Sequence, residues 1–362
     1  MNVYWIWLSE IKGIGPVMGK KLLEKFNVPE NIFKASYHEL ISVGGVGDKI
    51  AKTIVESKDE TMSRADFIIK KCIINGIKIL NINDELYPIE VKKLKDSPNL
   101  LYYLGNIRKN PLGVGIVGSR RCTDYGKRIA KEAAEFLCAN NITVISGMAK
   151  GIDGYSHTAC INLGGYTMAF LGCGVDVVYP KEHKKLMEKI IEIGAVVSEY
   201  PPGTEPDAKN FPKRNRLISA FSKKLLVIEA SRSSGSLITA EFAKKYGRQV
   251  FAAPDNIFSK ESIGSNELIL NGSKIYISPR QLLDKSIKKI ENYEQNNQVQ
   301  ATNSFKIDSI EKLILNSIHK EPKTIDELKT IINNTRVDIL EKLSLMELQG
   351  KIKIFRGKVQ TL

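Results

Sequence analysis

Gly113-Val114-Gly115-Ile116-Val117-Gly118-Ser119-Arg120 reads as a short apolar strand running straight into a small, cationic loop. The same grammar repeats downstream. Apolar, β-branched runs at Ile142–Ile145, Thr167–Leu171, Ala195–Val197, Leu225–Ile228 and Gln249–Ala252 alternate with helical patterns such as Tyr125–Cys138, Lys181–Glu192 and Ser236–Tyr246. Nearly continuous apolar strands separated by helices predict a doubly wound, Rossmann-like α/β domain, its parallel sheet covered on both faces. Ligands of such sheets lie beyond the carboxyl ends of the strands. Here those ends carry Gly118-Ser119-Arg120, Ser146-Gly147, Gly172-Cys173-Gly174, Glu199-Tyr200 and Glu229-Ala230-Ser231-Arg232.

Gly113 to Gly118 also spells G-x-G-x-x-G, the string of a dinucleotide site. Its context is wrong, because the first two glycines precede or sit inside the strand instead of opening a helix. The second strand also ends in Ser146-Gly147-Met148, without the acid that would hold a ribose. No Walker-type phosphate loop is present, so no nucleotide or other cofactor is expected.

Outward toward the N-terminus, Leu8–Phe26 and Leu40–Lys58 repeat one pattern: an apolar segment, a glycine-bracketed turn and an amphipathic helix. The turns, Lys12-Gly13-Ile14-Gly15-Pro16 and Val43-Gly44-Gly45-Val46-Gly47-Asp48-Lys49, each resemble a helix-hairpin-helix motif. Paired glycines leave backbone N–H groups at a helix start, where a phosphate fits; a protein-binding helical bundle with glycine caps is the other reading. Toward the C-terminus, Glu291–Ser304 is polar and linker-like. Helices are then expected at Ile310–Ile318, Thr324–Ile332 and Arg336–Leu348, with a hairpin over Lys351–Gln360 turning at Gly357, a winged-helix arrangement. The predicted units are 1–65 (helix-hairpin-helix-like), 66–285 (extended Rossmann-like), 286–304 (linker) and 305–362 (winged helix).

The 362 residues carry 54 Lys and Arg against 40 Asp and Glu, a formal charge of +14 that favours an anionic partner such as nucleic acid. Cys72, Cys122, Cys138, Cys160 and Cys173 form no C-x-x-C pair and read as reduced thiols of a cytoplasmic protein. The four histidines lie far apart, so no metal site is expected. No apolar run approaches a membrane span, and Met1–Glu10 lacks the basic flank and cleavage site of a secretory signal.

Small residues and cations gather beyond the strand ends: Gly118, Ser119 and Arg120; Lys150 with Gly151; Lys213, Arg214 and Arg216 around Asn215; and Arg232 through Ser236. Small side chains let phosphates approach backbone N–H groups, and arginines supply bidentate contacts. Phe211, Tyr200 and Tyr179 would stack unpaired bases, or pack beneath the loops. Arg120 and Arg214 sit where side chains need not pack, so each is expected to be removable without unfolding. Ser146, Lys150, Asp153 and His157 share one loop and helix but lack a nucleophile elbow, and Asp153 reads better as a cap for the helix that follows.

Together, Gly118-Ser119-Arg120, Ser146-Gly147-Met148-Ala149-Lys150-Gly151-Ile152-Asp153, Ser198-Glu199-Tyr200-Pro201-Pro202-Gly203, Phe211-Pro212-Lys213-Arg214-Asn215-Arg216 and Ser234-Gly235-Ser236-Leu237-Ile238-Thr239-Ala240 resemble the ordered motifs of the bacterial DNA-processing protein A (DprA/Smf) family. Tyr87-Pro88 and Ser97-Pro98-Asn99-Leu100-Leu101-Tyr102-Tyr103-Leu104-Gly105-Asn106 resemble that family's extension of the Rossmann core. The resemblance implies a non-enzymatic protein of natural transformation that binds and protects incoming single-stranded DNA and loads the RecA recombinase. It implies a pocket of Arg120, Lys150, Arg214, Asn215, Arg216, Ser234, Gly235 and Ser236, to which position adds Gly118, Ser119, Phe211 and Lys213. Two departures stand out: Pro254-Asp255-Asn256 replaces the family's Pro-Gly, and Ser233-Ser234 displaces Arg232 from its usual place before Ser-Gly-Ser. A nucleotide-processing or nucleotide-sensing Rossmann protein is the rival function. The family is typically dimeric, and the apolar Gly264–Ile277 segment points to a homodimer through Leu268, Ile269 and Ile275.

Overall fold

A computed structural model describes residues 2–109, 111, 113–283, 309–319, 321–332 and 338–361. Nine strands form one sheet: β1 (Lys78–Asn81), β2 (Leu100–Gly105), β3 (Gly113–Gly118), β4 (Val144–Ser146), β5 (Thr167–Phe170), β6 (Ala195–Ser198), β7 (Ser222–Ile228), β8 (Gln249–Ala252) and β9 (Lys274–Ile275). Their order is β1-β2-β6-β5-β4-β3-β7-β8-β9. From β6 through β9 every pairing is parallel, with β3 flanked by β4 on one side and by β7 on the other. The expected parallel sheet is therefore present and is extended at one edge by the antiparallel pair β1–β2, which docks on β6.

Alternation along β3 sorts its side chains to two faces. Val114 and Ile116 pack with Ala130, Ala133, Ala134 and Leu137 of the Asp124–Ala139 helix, where small residues let helix and sheet approach closely. Val117 joins the opposite core with Leu217, Ile218 and Phe221 of a helix spanning Asn210–Phe221. That same core continues into the N-terminal helices through Trp5, Ile6, Trp7 and Leu8. The Lys58–Ile74 helix runs across residue 65, so no break in secondary structure falls there.

Both glycine turns form as expected. Ile14 and Val46 are buried pegs between exposed glycines, and the Pro16–Phe26 and Asp48–Glu56 helices follow. Lys21 Nζ, donating to the Gly44 carbonyl at 3.1 Å, ties one turn's helix to the other turn.

In the C-terminal part, helices Ser309–Ile318, Ile325–Ile332 and Ile339–Leu348 accompany β10 (Lys323–Thr324), β11 (Lys353–Phe355) and β12 (Lys358–Gln360). The three strands make an antiparallel sheet ordered β10-β12-β11. Thr324 starts its helix through a reciprocal pair: its N–H donates to Glu327 at 2.6 Å and its hydroxyl oxygen accepts from the Glu327 N–H at 3.2 Å. The 286–304 linker lies outside the described residues.

At the far sheet edge, Leu268 of the Ile263–Leu270 helix packs half-buried against this chain's own core, and Ile269 is likewise half-buried. Leu270, Ile275 and Ile277 remain exposed.

Candidate nucleic-acid interface

A pocket of about 620 Å³ opens at the carboxyl ends of β3 and β7, on either side of which the chain winds in opposite directions. Gly118, Ser119, Arg120 and Arg121 line it from β3; Phe211, Arg214 and Asn215 line it from the Asn210–Phe221 helix; Ser233 to Ser236 close the third side. The close packing begins at Gly118, where a Cβ would stand 1.8 Å from the Ile228 carbonyl oxygen. Gly151, at φ +74°, packs so tightly under the loop that a Cβ there would lie 2.2 Å from the Ser119 oxygen. Buried Glu229 braces the loop from below, accepting from the Thr123 N–H at 2.8 Å and from the Thr123 hydroxyl.

The pocket's aromatic side is a step. Phe211 and Tyr179 rings meet at 5.2 Å with planes 38° apart, and exposed Arg120 places its guanidinium carbon 5.7 Å from the Phe211 centroid. Tyr200 lies outside the lining and donates to the Asn210 carbonyl.

Arg214 corrects an expectation. It is only 4% exposed, donates to the carbonyls of Gly147 (2.6 Å) and Phe170, and donates through Nε to Asn215 Oδ1 at 3.1 Å. Asn215 Nδ2 in turn donates to the Gly235 carbonyl at 3.0 Å, fastening the Ser-Gly-Ser loop to the helix. Burial pulls the guanidinium below its ordinary value, partly offset by the charge of Asp153. Arg214 thus ties its helix to the ends of β4 and β5 and, through Asn215, to the Ser-Gly-Ser loop, forming the floor of the pocket.

Other expected site residues are dispersed. Arg216 is turned away, donating to the Asp96 carbonyl at 2.7 Å and pairing with Glu199, whose carboxyl burial pushes upward. Lys150 is exposed, outside the pocket lining, and pairs with Glu182. Lys213 is exposed on the outer side of its helix, while neighbouring Pro212 reaches the pocket. Arg232 pairs with Glu267 at 2.8 Å. Ser231, named above only as part of a strand end, lines the pocket, and Arg121 and Glu261 join unannounced. Arg121 was signalled only by its neighbour Arg120, and nothing in the sequence signals Glu261, which reaches back from beyond β8 to accept from the Ser119 hydroxyl at 3.3 Å.

Asp153, read as a cap for its own helix, instead reaches back to accept from the Gly147 and Ala149 N–H groups at 3.0 and 3.3 Å; Gly151 takes the N-cap position. Burial raises its carboxyl, opposed by Arg214. Ser146 donates to the Ile116 carbonyl and also meets the Asp153 carboxyl, whereas His157 bonds the Thr167 hydroxyl and Lys150 pairs with Glu182, so the four residues do not converge as one set. Among the described residues, no three His, Cys, Asp or Glu side chains gather as a metal site requires.

Residues 78–286 match the model of DNA recombination-mediator protein A. The chain belongs to that family. Residues 8–57 match a SAM-like helix-hairpin-helix tandem. Protein Smf of Synechocystis is 37% identical over 78% of this chain and 72% of its own length. DNA processing protein DprA of Streptococcus pneumoniae is 41% identical over 56% of the chain and 72% of its own. The solved structure of the S. pneumoniae DprA superposes with a TM-score of 0.67 at 32% identity, covering 77% of this chain and 95% of that one. A Helicobacter pylori DNA processing protein A, solved for its single-stranded DNA binding mode, gives 0.51 at 30% identity over 57% of this chain and 93% of its own. In this member of the family, the Phe211–Arg216 motif lies on a helix, which separates its cations: Arg214 inward, Lys213 and Arg216 elsewhere. No described helix is long and apolar enough to cross a membrane.

Proposed function

We propose that the chain binds single-stranded DNA in the strand-end pocket and acts in recombination without catalysing a reaction. The observation that carries this is the juxtaposition, around one opening, of exposed Arg120, the Phe211–Tyr179 step and the Ser234-Gly235-Ser236 turn. Arginine holds phosphates, rings stack bases whose faces are free, and small residues let a thin chain approach the backbone. A duplex offers no free base face. The H. pylori relative's single-stranded DNA binding mode supports the same ligand here.

Family membership supports a wider proposed role: protection of incoming DNA during natural transformation, delivery of that DNA to RecA in the cytoplasm, and action as a homodimer. The C-terminal three helices and sheet serve as a winged-helix unit. Fluorescence titration of the purified chain with a single-stranded oligonucleotide, the matching duplex, and mono- and dinucleotides tests this reading. Single-stranded DNA is expected to bind far more tightly than the others, with a log–log salt slope of about −0.7 per phosphate neutralised. Equal duplex affinity or a flat salt response would refute DNA binding in this pocket. Tight mononucleotide binding alone would favour the nucleotide-sensing alternative.

A further inference from the structure

We propose that the C-terminal β11–β12 hairpin is a second contact for the same DNA strand, with Phe355 as the platform on which an unpaired base stacks. This rests on the strand-end pocket being the single-stranded DNA site. Phe355 is 53% exposed, which leaves its ring accessible to a ligand. Arg356 holds its guanidinium carbon 5.3 Å from the ring centroid and Lys353 its Nζ 6.0 Å away, while exposed Lys358 is the cross-strand neighbour of Phe355. An open ring flanked by cations suits a base and its phosphates.

The hairpin's placement connects it to the pocket. Lys353 pairs with Asp124, which opens the helix directly after the Arg120-Arg121 loop. The Ile339–Leu348 helix, the element that would otherwise enter a duplex groove, is turned toward the sheet domain: Leu348 packs against the main core, Glu341 pairs with Lys185 at 3.7 Å and Glu347 with Lys127 at 3.8 Å. Phe355, Arg356 and Lys358 are exposed, and the Lys353–Asp124 pair sets their hairpin beside the start of the helix that follows the Arg120-Arg121 loop.

The test uses the full chain, fluorescence anisotropy and oligothymidylates of about 6 and about 24 nucleotides at one salt concentration. Phe355→Ala is expected to weaken the long oligonucleotide by about tenfold and to leave the short one unchanged, with Phe355→Trp restoring the long one. Arg120→Ala is expected to weaken both. If Phe355→Ala binds both lengths like wild type while Arg120→Ala weakens both, the hairpin contact is wrong and the pocket stands. Equal loss at both lengths in Phe355→Ala overturns a separate hairpin contact. Failure of the wild type to bind either length overturns the pocket reading, and this inference with it.

Discussion

Arg120 and Arg214 share a motif role but have opposite physics. Arg120 is exposed, so Arg120→Ala is expected to keep the wild-type melting temperature and lose about 1.5–3 kcal/mol of DNA binding, read by thermal melt and titration. Arg214→Ala leaves two carbonyls and the Asp153 carboxylate facing a cavity, so it is expected to destabilise the fold by about 3–5 kcal/mol. A normal melt for Arg214→Ala would contradict its bracing role. His157 makes a pH-dependent contribution. It is fully buried, with Nε2 lacking a hydrogen-bond partner, and burial pulls its pKa down to about 3. The unfolded chain, with an ordinary histidine, takes up the proton first, so stability falls as pH drops from about 6.5 toward 3. At pH 5 this amounts to about 2 kcal/mol. Urea unfolding at pH 7 and pH 5 checks it: His157→Gln should lose less stability on acidification than wild type, and an equal loss in both would refute the assignment.

At the scale of elements, the strands were legible because each is an apolar run bounded by glycine, proline or charge; β3 to β8 lie where those runs predict. The Asn210–Phe221 helix was not. Pro212 in its first turn and the polar Lys213–Arg216 stretch hid an apolar side supplied late in the helix by Leu217, Ile218, Ala220 and Phe221. That omission propagated to the site, because two helical residues two positions apart point about 200° from one another, so Arg214 and Arg216 cannot both line one pocket. The direction of β2 was equally hidden: Leu100–Leu104 is apolar whether it runs parallel or antiparallel. Among the loops that meet at the pocket, Gly151 carries a sharp expectation. Its left-handed backbone and its approach to Ser119 mean that Gly151→Ala should cost at least about 1 kcal/mol and displace the Ser119–Arg120 loop, lowering both melting temperature and DNA affinity. A variant that melts and binds like wild type would show that the loop tolerates the shift.

For the molecule as a whole, the sheet ends at β9 in a two-residue edge strand with Ile275 and Ile277 in solvent. An uncovered apolar edge of this kind invites a symmetric copy of itself. Light scattering is expected to find a wild-type dimer at micromolar concentration and a monomer for Ile275→Glu; a monomeric wild type refutes the dimer, and a dimeric variant refutes this edge. The position of β3 also has a consequence during synthesis. Its partner on one side, β4, leaves the ribosome soon after it, but its partner on the other, β7, arrives only after three further strands and their helices have been made. Nascent chains that end before Ser222 already contain Arg120, yet they lack both β7 and the Ser234-Gly235-Ser236 turn. Truncated or half-translated copies therefore lack the strand-end pocket, which only a completed sheet domain assembles.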